Sequence, residues 1–443
     1  MQNVTVALKH LVDFRIGVYA SFTFRRDALF ELVDALLLCP VIRSAVEVSQ
    51  SPIFRRRFAS VYDALTNGKI VPGLLRQALV AAEPEDALTV AGYAVYALDT
   101  TIAPRPDAKT VPDRSKVYSA EQGKAIPGHQ FSWLGRVVAS GQSWFAPREV
   151  VRVPTRSTPN EIGADQVRRL IADPTPRRPK AVVADSHYAQ PHFLRAFVGR
   201  GAEVVVLVRL ASNRVLFGPP RPPSGQRGRP PVHGAKLTLR TPRAPDRHET
   251  IRLVGQHVRV SAWCDQHLRA LPALVGLVAR VEFLKADGTP RYRRPLWLFW
   301  SGSSEIALSD LVTMYLLRFM IEHFFRFAKQ RLGLLAAHLG DLAAIETWVQ
   351  VIMIAYSQLL LARSLVQPTY RPWDPTARQD PNLPLTPGQV LAAWRIFSPT
   401  LDTSAAAPGP AGKAPGRAPG DEPRPRERHP VTQTKNRPAN AAA

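Results

Sequence analysis

The sequence predicts an α/β protein in which a mixed sheet is flanked by helices, with a helical N-terminal domain before it and a β-rich insertion ahead of its last helix. Three observations predict it. Short apolar runs bounded by turn residues (Tyr93 to Leu98, Ala181 to Ala184, Val204 to Leu210) alternate with helical stretches at Ala164 to Ala172 and Pro191 to Arg200. Between Pro219 and Arg294 a Pro/Gly/Arg segment, Pro219 to Gly234, gives way to alternating runs at Lys236 to Arg240, Ile251 to Trp263 and Val278 to Phe283. Residues 22 to 80 carry helical apolar patterns, such as Leu29 to Leu38, and little strand signal.

A chain of 443 residues exceeds what one ordinary core supports, since cores stop growing near ~250 to 300 residues. We divide it at composition shifts. Residues 1–88 form the helical N-terminal domain, 89–218 the first part of the α/β core and 219–294 the β-rich insertion. The apolar run Leu296 to Trp300 resumes the core as its last strand within 295–365, and Ser309 or Asp310 offers an N-cap for a long helix. A C-terminal extension spans 366–402. From 403 to 443 the chain is Ala, Pro, Gly and Arg with almost no large apolar residue, which predicts a disordered tail.

The formal net charge of +23 and a sequence pI near 10.7 attract polyanions, so nucleic acid is the first partner to consider, ahead of anionic lipid or mere solubility. Basic clusters such as Arg55-Arg56-Arg57 either hold DNA phosphates or form solvated faces. Cys39 and Cys264 have no partner at ligand spacing, which supports neither a disulfide framework nor a zinc site and suits a reducing cytoplasm. Met1 to Asp13 lacks the order of regions that a secretory signal needs. Trp348 to Ala362 is interrupted by Gln350, Ser357 and Gln358 and falls short of the ~18 apolar residues of a membrane span. A buried core helix and no membrane partner are expected.

Within Asp310 to Leu334, Tyr315, Arg318, Glu322 and Lys329 point within roughly 60° of one another at ~100° per residue, and Arg326 joins them. Leu317, Ile321, Phe324, Phe325, Ala328 and Leu332 make the opposite, apolar side. By itself this stripe reads first as an ordinary surface face with spaced ion pairs, the commoner case. Its order, Tyr, two residues, Arg, three residues, Glu, six residues, Lys, resembles the signature of a large group of bacterial insertion-sequence transposases with a DDE catalytic triad. Gln330, Leu332 and Gly333 are similar to that group as well.

Two upstream aspartates complete the likeness. Tyr93 to Leu98 runs into Asp99-Thr100-Thr101, and Ala181 to Ala184 runs into Asp185-Ser186-His187-Tyr188; each resembles one of that group's aspartate motifs. Taken singly, either aspartate reads equally well as a helix N-cap or turn acid. Gly128-His129-Gln130, Arg227-Gly228-Arg229-Pro230 and His233-Gly234 are similar to the group too, so the resemblance covers roughly residues 20 to 365.

The resemblance implies an RNase H-like core, catalysis and metal ligation by Asp99, Asp185 and Glu322, and DNA contacts from Tyr315, Arg318, Lys329 and Arg326. Mg²⁺ or Mn²⁺, two ions in all, suits such a set, because hard cations prefer carboxylate oxygen and leave room for phosphate and water. Water is the first nucleophile, and the freed 3′-hydroxyl attacks target DNA. Double-stranded DNA is the partner, as terminal inverted repeats and as target, with a homodimer across paired ends and a nucleoid-associated location when bound. His129, His187 and His323 are left out of the metal set as hydrogen-bonding or packing residues. Trp297 and Trp300 are available for stacking on a flipped base, or else are core residues of their strand. A recruited DNA-binding protein without catalysis and an endonuclease without joining activity are the alternative functions.

Overall fold

The computed structural model describes residues 2–85, 87–119, 122–138, 143–220, 231–367, 385–410, 418, 420, 422 and 425–432. Its centre is one sheet of thirteen strands among the described residues. Five of them form the α/β core: β1 (Tyr93–Pro104), β3 (Lys124–Val137), β4 (Phe145–Val153), β5 (Lys180–Ala184) and β6 (Val204–Leu210), with β2 (Ser115–Ser119) pairing the first part of β3. In space they run β4-β3-β1-β5-β6. The first three are antiparallel neighbours, whereas β5 and β6 lie parallel to β1. This is the meander-then-crossover order of an RNase H-like sheet.

The parallel strands follow from their composition. Ala181-Val182-Val183-Ala184 and Val204-Val205-Val206-Leu207-Val208 are buried on both faces, so they read as continuous apolar runs, and β-branched side chains pack well on the pleat. Alternation still sorts the two faces. Val95, Ala97, Ala181, Val183, Val205 and Leu207 belong to one cluster; Leu98, Val182, Ala184, Val206 and Val208 belong to the other.

Helix α5 (Pro159–Ala172) covers the second face. It starts from a capping box in which Thr158 and Glu161 satisfy each other's backbone N–H, with Pro159 in the first turn. The first face is covered by α6 (Leu308–Leu316), α7 (Phe319–Gln330) and α8 (Leu342–Ala362), and α8 in turn packs on α1 (Gln2–Ser21), α2 (Arg26–Leu38) and α3 (Phe58–Asn67). The N-terminal helices, with α4 (Pro72–Ala81), therefore share one hydrophobic cluster with the core instead of building their own. The run that ends at Ala362 is a core helix, with 89% of its most apolar window buried in protein.

The insertion extends the same sheet. β7 (Val215–Phe217), β8 (Lys236–Thr238), β9 (Arg247–Leu253), β10 (Gln256–Leu268) and β11 (Leu271–Phe283) lead back to β12 (Leu296–Trp300), which pairs antiparallel with β6. The stretch Ile251 to Trp263, expected as one alternating run, is two strands. Val254 at φ 45° and Gly255 at φ 77° turn the chain between Leu253 and Gln256, a pair of left-handed residues that suits a two-residue hairpin. β2, β3 and β4 carried no alternation clear enough to be expected. Pro191 to Arg200 contains only short helical turns, at Pro191–Leu194 and Arg195–Phe197.

Of the tail expected to be disordered, most of 411–424 and all of 433–443 lie outside the described residues, while 403–410 and 425–432 make contacts. Asp402 and Ala405 give their carbonyls to Arg15 Nη2 at 3.3 Å and Arg55 Nη2 at 2.9 Å, and Ala406 N–H donates to Asp27 Oδ1 at 3.1 Å. Further along, His429 N–H donates to the Lys109 carbonyl at 2.8 Å, and Thr432 N–H to that of Arg114, also at 2.8 Å. These segments are held by backbone polar groups meeting arginine donors and loop carbonyls, which a measure of apolar content does not register. Arg55 and Arg56 lie within ion-pair distance of the buried Glu31, so two of that cluster's three cations serve internal pairing.

Candidate functional site

Three adjacent parallel strands reach one level where β5 ends, while β1 continues past Asp99 in its pairing with β3, so Asp99 lies within its strand and not at the expected strand end. Leu98 of β1 pairs with Ala184 of β5, and Ala184 with Val208 of β6; one residue beyond lie Asp99, Asp185 and Arg209. Strand spacing of ~4.8 Å makes these three direct neighbours. Pleat parity sends all three to the face that carries Ala97, Val183 and Leu207, the face on which α6 and α7 lie. A row of two acids and a cation thus forms on that face, with α7 packed over its β1 end.

Glu322 enters from above on the first turn of α7. Phe324 anchors that helix: its ring centroid lies 4.9 Å from Trp133, 5.3 Å from Phe145 and 4.7 Å from Tyr356. The helix expected from Asp310 to Leu334 is interrupted. Arg318 N–H, Met320 N–H and Ile321 N–H donate to the carbonyls three residues back, so the chain tightens between α6 and α7. The N-cap is Ala307, with no side-chain hydrogen bond, in place of the expected Ser309 or Asp310.

The tightened turn alters what the polar stripe does. Arg318 is only 8% exposed. Its Nη1 donates to Asp99 Oδ2 at 2.7 Å and its Nη2 to Glu322 Oε1 at 2.5 Å. Tyr315 is buried, and burial pushes its phenol up, with Arg318, Arg209 and Asp185 all near it. Of the expected DNA contacts, then, Arg326 is exposed and Lys329 half-buried on α7, whereas Arg318 bridges two of the expected metal ligands and Tyr315 packs beneath them.

Asp99 is held by Thr100 N–H at 2.7 Å on Oδ1 and by Arg318 on Oδ2, and Gln130 Nε2 steadies Thr100 Oγ1 at 2.9 Å. Burial pushes the Asp99 carboxyl up to about 6; Arg318 opposes the shift, while Asp185 and Glu322 add to it. Asp185 caps the turn Ser186–Tyr188, accepting from His187 N–H at 2.9 Å through Oδ1. The ordinary role of a post-strand aspartate is therefore met by one oxygen, and Oδ2 is left for another task.

Among the described residues, no three His, Cys, Asp or Glu side chains converge closely enough to hold one metal ion as they stand. The donor set nonetheless fits a divalent cation in kind. Three carboxylates, Asp99 and the two close enough to influence it, against one bridging guanidinium, leave two negative charges, and oxygen donors suit Mg²⁺ or Mn²⁺. Arg318, by holding one oxygen of Asp99 and one of Glu322, marks where positive charge is accommodated.

The remaining residues separate clearly. His129 is buried with neither ring nitrogen bonded, and burial beside Arg152 and Arg105 brings it down to about 4. His323 Nδ1 meets Ser143 Oγ at 2.5 Å, and His233 Nδ1 meets His267 Nε2 at 2.9 Å. Trp297 and Trp300 are fully buried, with Trp297 against Trp263 at 5.4 Å, so neither is available for a base. Arg227 to Pro230 lies outside the described residues. Arg209 was missed, although its signal is present: a lone cation near the end of an otherwise apolar run, exposed among buried neighbours.

Comparison with known proteins bears on the same region. No curated protein matches the chain. Among solved structures, a piggyBac transposase synaptic complex with hairpin DNA, determined by cryo-electron microscopy, is similar at 9% identity and a TM-score of 0.43, covering 77% of this chain and 66% of that one. The family described as DDE superfamily endonuclease matches residues 17–269, which is more than half of the chain and includes Asp99 and Asp185. The chain belongs to the DDE superfamily endonuclease family.

Proposed function

We propose that the protein is a DNA transposase that cuts at the ends of its element and transfers the freed 3′ strand into target DNA, with Asp99, Asp185 and Glu322 as the catalytic, metal-ligating acids. The observation that carries this reading is the pairing of Asp99 and Asp185 on neighbouring parallel strands, with Glu322 tied to Asp99 through Arg318. Enzymes of this superfamily normally use divalent metal, and such ions, when bound, supply Lewis acidity to the attacking and leaving oxygens. This chain's own residues do the rest. Asp185 Oδ2 and Glu322 Oε2, which accept no hydrogen bond among the described residues, are the first oxygens to offer a metal. Arg209 and Arg326 present cations to a DNA backbone on the α7 side of the sheet, and Lys329 adds a third. Two ends brought together call for two copies of the chain.

The test is cleavage by the purified protein of labelled DNA carrying the flanks of its gene, with Mg²⁺ or Mn²⁺, beside Glu322→Gln. Cutting at a fixed position that the variant loses supports the reading, and recovery of joined product completes it. Cutting without joined product leaves an endonuclease. Binding without cutting in either protein sinks the catalytic reading.

A further inference from the structure

Among the described residues, helix α1 leaves one side exposed. Leu11, Phe14 and Val18 pack into the core, and Arg15 is sealed in a buried ion pair with Asp34. Beside that face runs a ridge of aliphatic residues four apart: Val4 is 55% exposed, Leu8 38%, Val12 39% and Ile16 55%. The next ridge carries Lys9 and Asp13, paired at 2.6 Å and 74% and 53% exposed. Scattered surface aliphatics need no explanation, but four in register on one ridge form a seam.

We propose that α1 is a self-association surface on which a second copy of this chain packs its own α1 antiparallel. The ridge has the symmetry that a twofold contact requires. Leu8 and Val12 lie either side of its midpoint, and Val4 and Ile16 lie outside them, so reversal of the helix lays the ridge on itself. Ridges of residues four apart interdigitate at a crossing angle of about −50°, which concentrates contact on Leu8 and Val12. The adjoining ridge is complementary under the same reversal, because Lys9 of each copy faces Asp13 of the other.

The charge pattern selects this occupant over two others. The chain carries +23, yet the exposed charges that α1 itself sets beside this ridge are one cation and one anion. Such a surface does not draw a nucleic-acid backbone, and it spares two strongly basic copies the repulsion they meet elsewhere. An anionic membrane would need a row of exposed cations beside the apolar ridge, and α1 offers Lys9 alone. One pair of crossing helices is smaller than a standard interface of about 800 Å² per partner, so the association is weak and concentration-dependent without DNA. The proposal supplies the pairing surface for the two copies of the proposed function, but it stands on α1 alone.

The experiment is sedimentation of the full chain over a concentration series in the absence of DNA, for the wild type, Val12→Glu, Lys9→Glu, Asp13→Lys and an equimolar mixture of the last two. The wild type is expected to dimerise, and Val12→Glu to weaken dimerisation at least tenfold with an unchanged melting temperature. Lys9→Glu and Asp13→Lys should each associate poorly alone but pair with each other, because only across a twofold contact does the acid introduced in one variant meet the cation introduced in the other. A monomeric wild type, an undiminished Val12→Glu dimer, or a mixture no tighter than its components overturns the proposal. So does Val12→Glu reducing DNA binding while dimerisation persists. Loss of cleavage in a protein that still dimerises through α1 would instead count against the proposed function and leave this surface intact.

Discussion

Arg318 Nη1 lies 2.7 Å from Asp99 Oδ2, although 219 residues separate them, and this guanidinium opposes the rise that burial imposes on the mostly buried acid. Breaking a buried pair by removing one partner costs about 3 to 5 kcal/mol, because an uncompensated charge stays behind. Arg318→Ala is therefore expected to lower the melting temperature by several degrees near pH 7.5. The loss should shrink near pH 5, where Asp99 becomes neutral and no longer needs the guanidinium. Melting curves at the two pH values decide it; an equal loss at both removes the charge explanation.

Asp99 itself gives a second pH dependence in the metal-free protein. Its folded-state pKa is raised, to about 6 from an ordinary value near 4, so the folded state binds the proton more tightly than the unfolded state. The resulting stabilisation is fully present below pH ~4 and is lost as pH rises through about 6. Asp99→Asn should flatten this part of the stability profile between about pH 4 and 7.5. A profile of unchanged shape places the titration elsewhere.

Arg209 stands beside Asp185 on the exposed end of β6, with no ion-pair partner among the described residues. If the acid row faces DNA, Arg209→Ala should weaken binding of a duplex several-fold and lower the slope of log affinity against log salt by about one unit or less. Thermal stability should not change. Fluorescence anisotropy at three salt concentrations measures the slope, and an unaltered slope takes Arg209 out of the DNA surface.

Trp297 and Trp300 were open to a base-stacking role on sequence grounds, but both are core residues, with Trp300 Nε1 donating to the Ser303 carbonyl at 3.0 Å. Trp300→Ala should cost roughly 3 to 5 kcal/mol of stability through the cavity it leaves. Below the new melting point, DNA affinity should match that of the wild type. Denaturant unfolding together with anisotropy separates the two effects.

Removal of the chain after Leu401 takes away the carbonyls that satisfy Arg15, Arg55 and Arg56 and the His429–Lys109 contact. Each unmade hydrogen bond to a buried or part-buried donor costs about 1 to 3 kcal/mol where water cannot replace it. A shortened protein should melt several degrees lower, and the loss should be visible by calorimetry. An unchanged melting point would return the tail to the expected status of a free chain.

Much of this molecule is local in origin. The runs at β1, β5, β6 and β12 are legible because a buried strand must be apolar along its length, and the spacing of Tyr315, Arg318, Glu322 and Lys329 is legible because helices repeat. β2, β3 and β4 were not legible. Their residues mix Gly128, His129, Gln130, Arg136 and Arg148 with apolar neighbours, and partners far along the chain satisfy the polar ones, as Glu83 does for Arg136 and Arg148. The break between α6 and α7 was hidden for a similar reason, since no Gly or Pro marks it.

By itself, then, the sequence determined most strand and helix types, the acid that follows β5 and the charge of the chain, all of which depend on periodicity and composition, whereas Asp99 lies inside β1 and not at its end. The tertiary structure alone decided that Asp185 and Arg209 stand in one row with Asp99, because register between strands is set by long-range pairing. It also decided that Arg318 turns inward to Asp99 and Glu322 and that residues 402–406 meet Arg15, Arg55 and Asp27. Those outcomes depend on which charges and backbone groups are buried together, and residues distant in the chain meet only once the core has closed.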